Sequence, residues 1–224
     1  MQKHLLLLLL LFTVIMNAQE TGEDELGSWH MYFGMNRISD KLSIHTEGQL
    51  RYYEAGKNFN QLLLRTGLNY HIKNEAIATF GYAYIDTDTT FEEFPEDIDF
   101  TEHRIFEQFI LNNKVWELNF EHRYRLEQRF IDFGANNDVQ HRARYRLQVM
   151  VPLTDIFFLN FYDEVFLNLQ GNTFDQNRLY AAIGLNVTDN LSVQSGFLKN
   201  HFSTRNFDRL QVAVFYNPDF RKKK

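Results

Sequence analysis

The sequence predicts an all-β chain folded as a transmembrane antiparallel up-and-down β-barrel, about ten to twelve strands around a charged lumen. Three observations point there. Polar and apolar residues alternate with a period of two along most of the chain, which is the face-to-face alternation of β-strands. The connections between these stretches alternate between short and long. The N-terminus carries an apolar run too short to cross a bilayer, and no later stretch is long and apolar enough for a transmembrane helix.

Residues 1–18 read MQKHLLLLLLLFTVIMNA, with Lys3 ahead of an apolar run over 5–16 and the small Ala18 behind it. Spanning needs about twenty apolar residues, so this is read as a secretory signal peptide cut after Ala18, leaving Gln19 first. Residues 19–27 then form an N-terminal segment, 28–220 the barrel and 221–224 a basic tail.

Strand-like segments follow at 28–37, 41–53, 61–72, 76–86 and 102–112, then at 116–130, 138–151, 157–168, 176–187, 191–200 and 209–216. The third sets Leu62, Leu64, Leu68, Tyr70 and Ile72 against Gln61, Arg65, Asn69 and His71. The sixth, WELNFEHRYRLEQRF, places Glu117, Asn119, Glu121, Arg123, Arg125, Glu127 and Arg129 on one parity and mostly aromatic or aliphatic residues on the other. As a helix it would spread its charges around the cylinder and offer no core face. The seventh aligns Gln140, Arg142, Arg144, Arg146 and Gln148; the ninth separates Leu179, Ala181, Ile183, Leu185 and Val187 from Gln176, Arg178 and Asn186. These are eleven segments, whereas bacterial single-chain barrels use even numbers. Twelve is therefore favoured, with a strand hidden in a loop; the alternative is a first segment that is not a full strand.

Short turns are read at 39–40, 73–74, 112–114, 154–155 and 188–190, and longer loops at 54–60, 87–101, 131–137, 169–175 and 201–208. Outer-membrane barrels show this asymmetry, with short periplasmic turns and longer outward loops. The longest loop contains TDTTFEEFPEDIDF, expected to be a solvated acidic outer loop, with a lumen plug or ligand-contacting loop as the alternative.

A cation on the lipid face costs about 2–4 kcal/mol at the bilayer midplane, so the charged parity is expected to face inward. The candidate lumen residues are Glu47, Arg65, Glu102, Arg104, Glu117, Glu121, Arg123, Arg125, Glu127, Arg129, Arg142, Arg144, Arg146, Glu164 and Arg178. A tight turn at 112–114 would set Glu102 across from Arg125, and parity allows Glu127 opposite Arg142. Arginine suits such a ladder because its planar fork binds two acceptors at once. The ladder reads either as a structural network stiffening a narrow barrel or as an anion-selective constriction or binding site for an acidic solute.

The chain has no cysteine, which removes disulfides, thiol nucleophiles and thiolate metal sites. Without Lys3 it carries 22 basic against 29 acidic residues, net charge near −7, which argues against nucleic-acid binding. There is no G-x-S-x-G elbow. His103, His122 and His141 recur on successive segments, but parity turns them outward and antiparallel strands set them at different heights, so no metal site is expected. Neither catalytic residues nor a cofactor are assigned. A lipid-modifying enzyme at the outer rim, or an adhesion or docking barrel acting through the long loop, are the alternative functions.

EHRIFEQ from Glu102, HRYRLEQRF from His122, RARYRL from Arg142 and FDQNRLYAAIG from Phe174 resemble an outer-membrane β-barrel family catalogued as a domain of unknown function, number 2490. The similarity runs from about Trp29 to the C-terminus. It implies the fold and a place in the outer membrane of a Gram-negative envelope, and supplies no activity. The partners implied are outer-membrane lipid, the barrel-assembly machinery during biogenesis, and a small polar or anionic solute.

Overall fold

The computed structural model describes residues 22–91 and 99–221. Eleven strands follow in order: β1 (Leu26–Arg37), β2 (Leu42–Tyr52), β3 (Phe59–Lys73), β4 (Ala76–Thr87), β5 (Phe100–Val115), β6 (Leu118–Asp132), β7 (Asn137–Pro152), β8 (Phe157–Asn168), β9 (Phe174–Thr188), β10 (Leu191–Phe202) and β11 (Asn206–Tyr216). Each pairs with the next, and β1 closes on β11. Residues 1–18, expected to be a leader, the centre of the acidic loop at 92–98 and the tail residues 222–224 lie outside the described residues.

The favoured count of twelve is corrected to eleven, and the eleven segments of the sequence are the eleven strands. No strand is hidden among the described loop residues, and β1 is a full strand. A meander of eleven strands brings its last strand back in the direction of its first, so closure must be parallel. It is: Leu26 pairs with Asp208 and Gly34 with Tyr216 in parallel register. The C-terminal segment prolongs this seam. Arg37 N donates to the Pro218 carbonyl, and Phe220 N donates to the Arg37 carbonyl, both at 2.9 Å. Full closure leaves no strand edge unpaired.

Because the strand count is odd, the described ends lie at opposite rims. Glu23 Oε1 accepts from Asn206 N at 2.8 Å beside the loop between β10 and β11. Arg221 instead reaches Asp40 at 2.9 Å, in the short turn between β1 and β2.

The β5–β6 hairpin departs from the expected register. Its ladder runs on to Val115 opposite Leu118, so the turn is Trp116-Glu117 rather than 112–114. Glu102 therefore lies across from Ile131, and Arg125 across from Gln108. The expected pairing of Glu127 with Arg142 is observed.

The two faces of the wall divide as the alternation dictates. Leu64, Leu68, Tyr70 and Ile72 of β3 and Leu179, Ile183 and Val187 of β9 are exposed on the outside, and Phe80 is 61% exposed. Arg65, Asn69, His71 and Gln176 are buried inside. The interior also holds apolar side chains, including Trp29, Leu63, Ala83, Ile85, Phe106, Phe158 and Phe166. Two inward glycines make room for large rings. A Cβ on Gly81 would overlap Phe106, and one on Gly184 would overlap Phe158, the small-against-large matching that fills narrow barrels.

Candidate functional site: an arginine-lined lumen

The interior encloses a cavity of about 660 Å³. Its charged lining comes chiefly from β5 to β9, with consecutive inward arginines on β6 and β7 and fewer glutamates among them. On β6 and β7, Arg125 stands directly opposite Arg144 and Arg123 directly opposite Arg146. Like charges directly opposed destabilise a sheet, so these pairs require carboxylates from elsewhere.

Glu127 supplies the first. It accepts from Arg142 Nη2 and Arg144 Nη1, each at 2.7 Å, and from Arg104 Nη1 at 3.5 Å, and Arg125 lies 3.7 Å away. Glu164 on β8 supplies the second, accepting from Arg123 Nη2 and Arg144 Nη2 at 2.7 Å each. Arg144 thus ties the two carboxylates together. Glu102 joins Arg104 at 2.6 Å to Arg129 at 2.9 Å. Glu121 pairs with Arg146, and Glu47 with Arg65 at 2.6 Å. Aromatic faces carry part of the remaining charge: the Arg144 guanidinium lies 4.1 Å from the Phe166 ring centre, and that of Arg125 lies 5.0 Å from Phe106.

Fourteen of the fifteen candidate residues thus sit in the lumen. Glu117 does not. It occupies the β5–β6 turn, where its side chain is 84% exposed beside Lys114. Arg178 lies in the lumen but reaches no carboxylate; its hydrogen bond goes to Gln176 Oε1 at 3.3 Å.

Several residues were missed. Arg51 is buried on the same parity of β2 as Glu47 and Gln49, so extending the alternation by one step would have found it. Asp175 receives Arg142 Nη1 at 2.8 Å at the rim, and Arg209 lines the cavity from β11. Inward glutamines accept from Arg51, Arg125 and Arg129: Gln61 and Gln140, already on the charged parity of the sequence, and Gln49 and Gln108, which were not singled out.

Among the described residues the cavity is lined by twelve arginines and five carboxylates, Glu127 being buried behind the lining. The described lining is therefore cationic although the chain as a whole is acidic. Such a surface can hold or pass an anion by charge-assisted hydrogen bonds.

His103 and His122 face outward. His103 meets Tyr82 and Tyr84, and His122 Nδ1 lies 2.9 Å from the Tyr145 hydroxyl. Among the described residues no group of histidines and carboxylates has metal-binding geometry.

No curated protein and no solved structure matches the chain. The model of the family described as "Protein of unknown function (DUF2490)" matches residues 26–211, nearly the whole barrel, and the chain belongs to that family.

Proposed function

We propose that the protein is an outer-membrane barrel, exported by its leader, whose lumen binds small anionic solutes or passes them through a narrow constriction. The observation that carries this reading is the excess of arginine over carboxylate around one cavity among the described residues. A barrel held together by ion pairs alone would balance the two, because each unpaired buried charge costs several kcal/mol. The membrane location is supported by the closed, edgeless wall and by the apolar residues exposed around it.

The test is single-channel current from the refolded full-length protein in a planar bilayer, with heat-modifiable gel mobility reporting folding. Discrete steps with anion preference are expected, and Arg146→Ala should reduce that preference. Folded protein that conducts only cations, or neither conducts nor binds any anion, overturns the reading.

A further inference from the structure

Arg51 and Arg178, like Arg209, line the lumen without an ion pair among the described residues. Arg51 gives its Nε and Nη2 hydrogens to Gln49 Oε1 at 3.0 and 2.5 Å and its Nη1 hydrogen to Gln61 Oε1 at 2.6 Å. Among the described residues Arg178 has one hydrogen bond, the long one to Gln176, and its guanidinium also lies 4.6 Å from the Phe166 ring centre. These hydrogen-bond partners are amides, which orient a guanidinium without neutralising it. Glu164 lies directly across the β8–β9 ladder from Arg178, yet its carboxylate is turned to Arg123 and Arg144.

Both arginines lie against one side chain. The Arg51 guanidinium is 3.8 Å from the ring centre of Trp29, and that of Arg178 is 4.9 Å from it. The stack offsets part of the burial cost and holds two positive charges close together. Arg178 Nε and Trp29 Nε1 are both buried donors without an acceptor among the described residues, as are Arg65 Nε, Arg123 Nε, Arg125 Nη1 and Arg146 Nε elsewhere in the lumen. Buried donors are paired in nearly all cases, and Arg51, Arg178 and Trp29 all line the cavity.

We propose that Arg51, Arg178 and Trp29 form a binding site for a dianionic phosphate group. This rests on the anionic-lumen reading above and specifies its site. Two neighbouring cations without an ion pair of their own favour a doubly charged anion, and a tetrahedral oxyanion presents several oxygens to an array of N–H donors at once. The phosphate is either free inorganic phosphate or the terminal group of a small phosphate monoester.

Trp29 is itself the reporter. The chain has two tryptophans, so Trp116→Phe leaves Trp29 as the single emitter. The full-length protein, folded in detergent, is titrated with inorganic phosphate, glycerol phosphate and succinate, with chloride at matched ionic strength as the screening control. A saturable change in Trp29 emission is expected with phosphate, and Arg51→Gln or Arg178→Gln should weaken it about tenfold or more. Arg221→Gln, at the opposite rim, should leave it unchanged. A stronger response to glycerol phosphate than to phosphate identifies the monoester as the ligand.

The site also has a signature without ligand. Arg178→Gln removes a buried cation that forms no ion pair among the described residues, so in phosphate-free buffer its heat-modifiable transition should move upward, where loss of a structural ion pair would move it down. No saturable response in folded protein, a response reproduced by chloride, preference for succinate, or a downward shift for Arg178→Gln overturns the site. Anion-selective conductance surviving alongside any of these leaves the lumen reading intact, and absence of both binding and selective conductance removes both.

Discussion

At the scale of single residues, the lumen's stability is concentrated in few carboxylates. Glu127 is fully enclosed and faces Arg104, Arg125, Arg142 and Arg144. Replacing it with glutamine keeps its shape but leaves four guanidinium groups short of one charge. Breaking a buried ion pair from one side costs about 3–5 kcal/mol, and Glu127→Gln should lower folding stability by about that amount, read from the urea midpoint of the detergent-folded protein. Outward Glu107, exposed and hydrogen-bonded to Gln128 at 3.1 Å, is the contrast. Glu107→Gln should change the folding stability by no more than about 0.5 kcal/mol. Period-two alternation was enough to place Glu127, Arg142 and Arg144 inside. It could not say which arginine each carboxylate takes. Glu164 faces Arg178 by strand pairing and yet binds Arg123 and Arg144, because long side chains reach diagonally across a pleated face. Side-chain partners of this kind are set by three-dimensional packing and are absent from a one-dimensional pattern.

At the scale of elements, the β5–β6 hairpin shows why the faces could be right while the register was wrong. Asn112-Asn113-Lys114 has the composition of a turn, whereas the turn is made by Trp116 and Glu117, and Trp116 adopts a φ of 53°. A bulky aromatic in the left-handed region is uncommon, so composition pointed elsewhere. Moving the turn changed the partner of Glu102 from Arg125 to Ile131, a shift of six positions. An even shift leaves every side chain on its own face, whereas an odd one would have turned the arginines outward. The same reasoning marks the weakest element. The β1–β11 seam is the one parallel pairing among the described strands, covering Leu26 to Gly34 of β1, while β6 and β7 pair from Asn119 to Asp132. Parallel ladders are slightly less stable per residue. Hydrogen exchange should therefore open amides of β1 and β11 at the seam before those between β6 and β7. Uniform protection around the wall would show that the C-terminal extension past Arg37 compensates the seam fully.

At the scale of the whole molecule, the odd strand number has a consequence that side-chain patterning hides. Eleven strands of alternating direction put the N-terminal end of β1 at the rim of the longer loops and the C-terminal end of β11 at the rim of the short turns. The C-terminal side is fastened there. Arg221 binds Asp219 at 2.6 Å as well as Asp40, and its hydrogen bonds hold the exposed Asp219 carboxyl down at about 2. The folded value lies below the ordinary one, so this clasp is at full strength above the normal aspartate range and loosens as pH falls towards 2. On the outer-membrane reading proposed above, short turns on the periplasmic side would place residues ahead of β1 at the cell surface and those after β11 in the periplasm. An epitope inserted just ahead of Gly22 should be labelled on intact cells, while one placed after Arg221 should be labelled only once the outer membrane is permeabilised. Reversed labelling would mean that the longer loops face the periplasm, leaving the parallel seam in place. Labelling of both epitopes from the same side would be incompatible with parallel closure, because only an even number of strands returns the chain to the rim where it began.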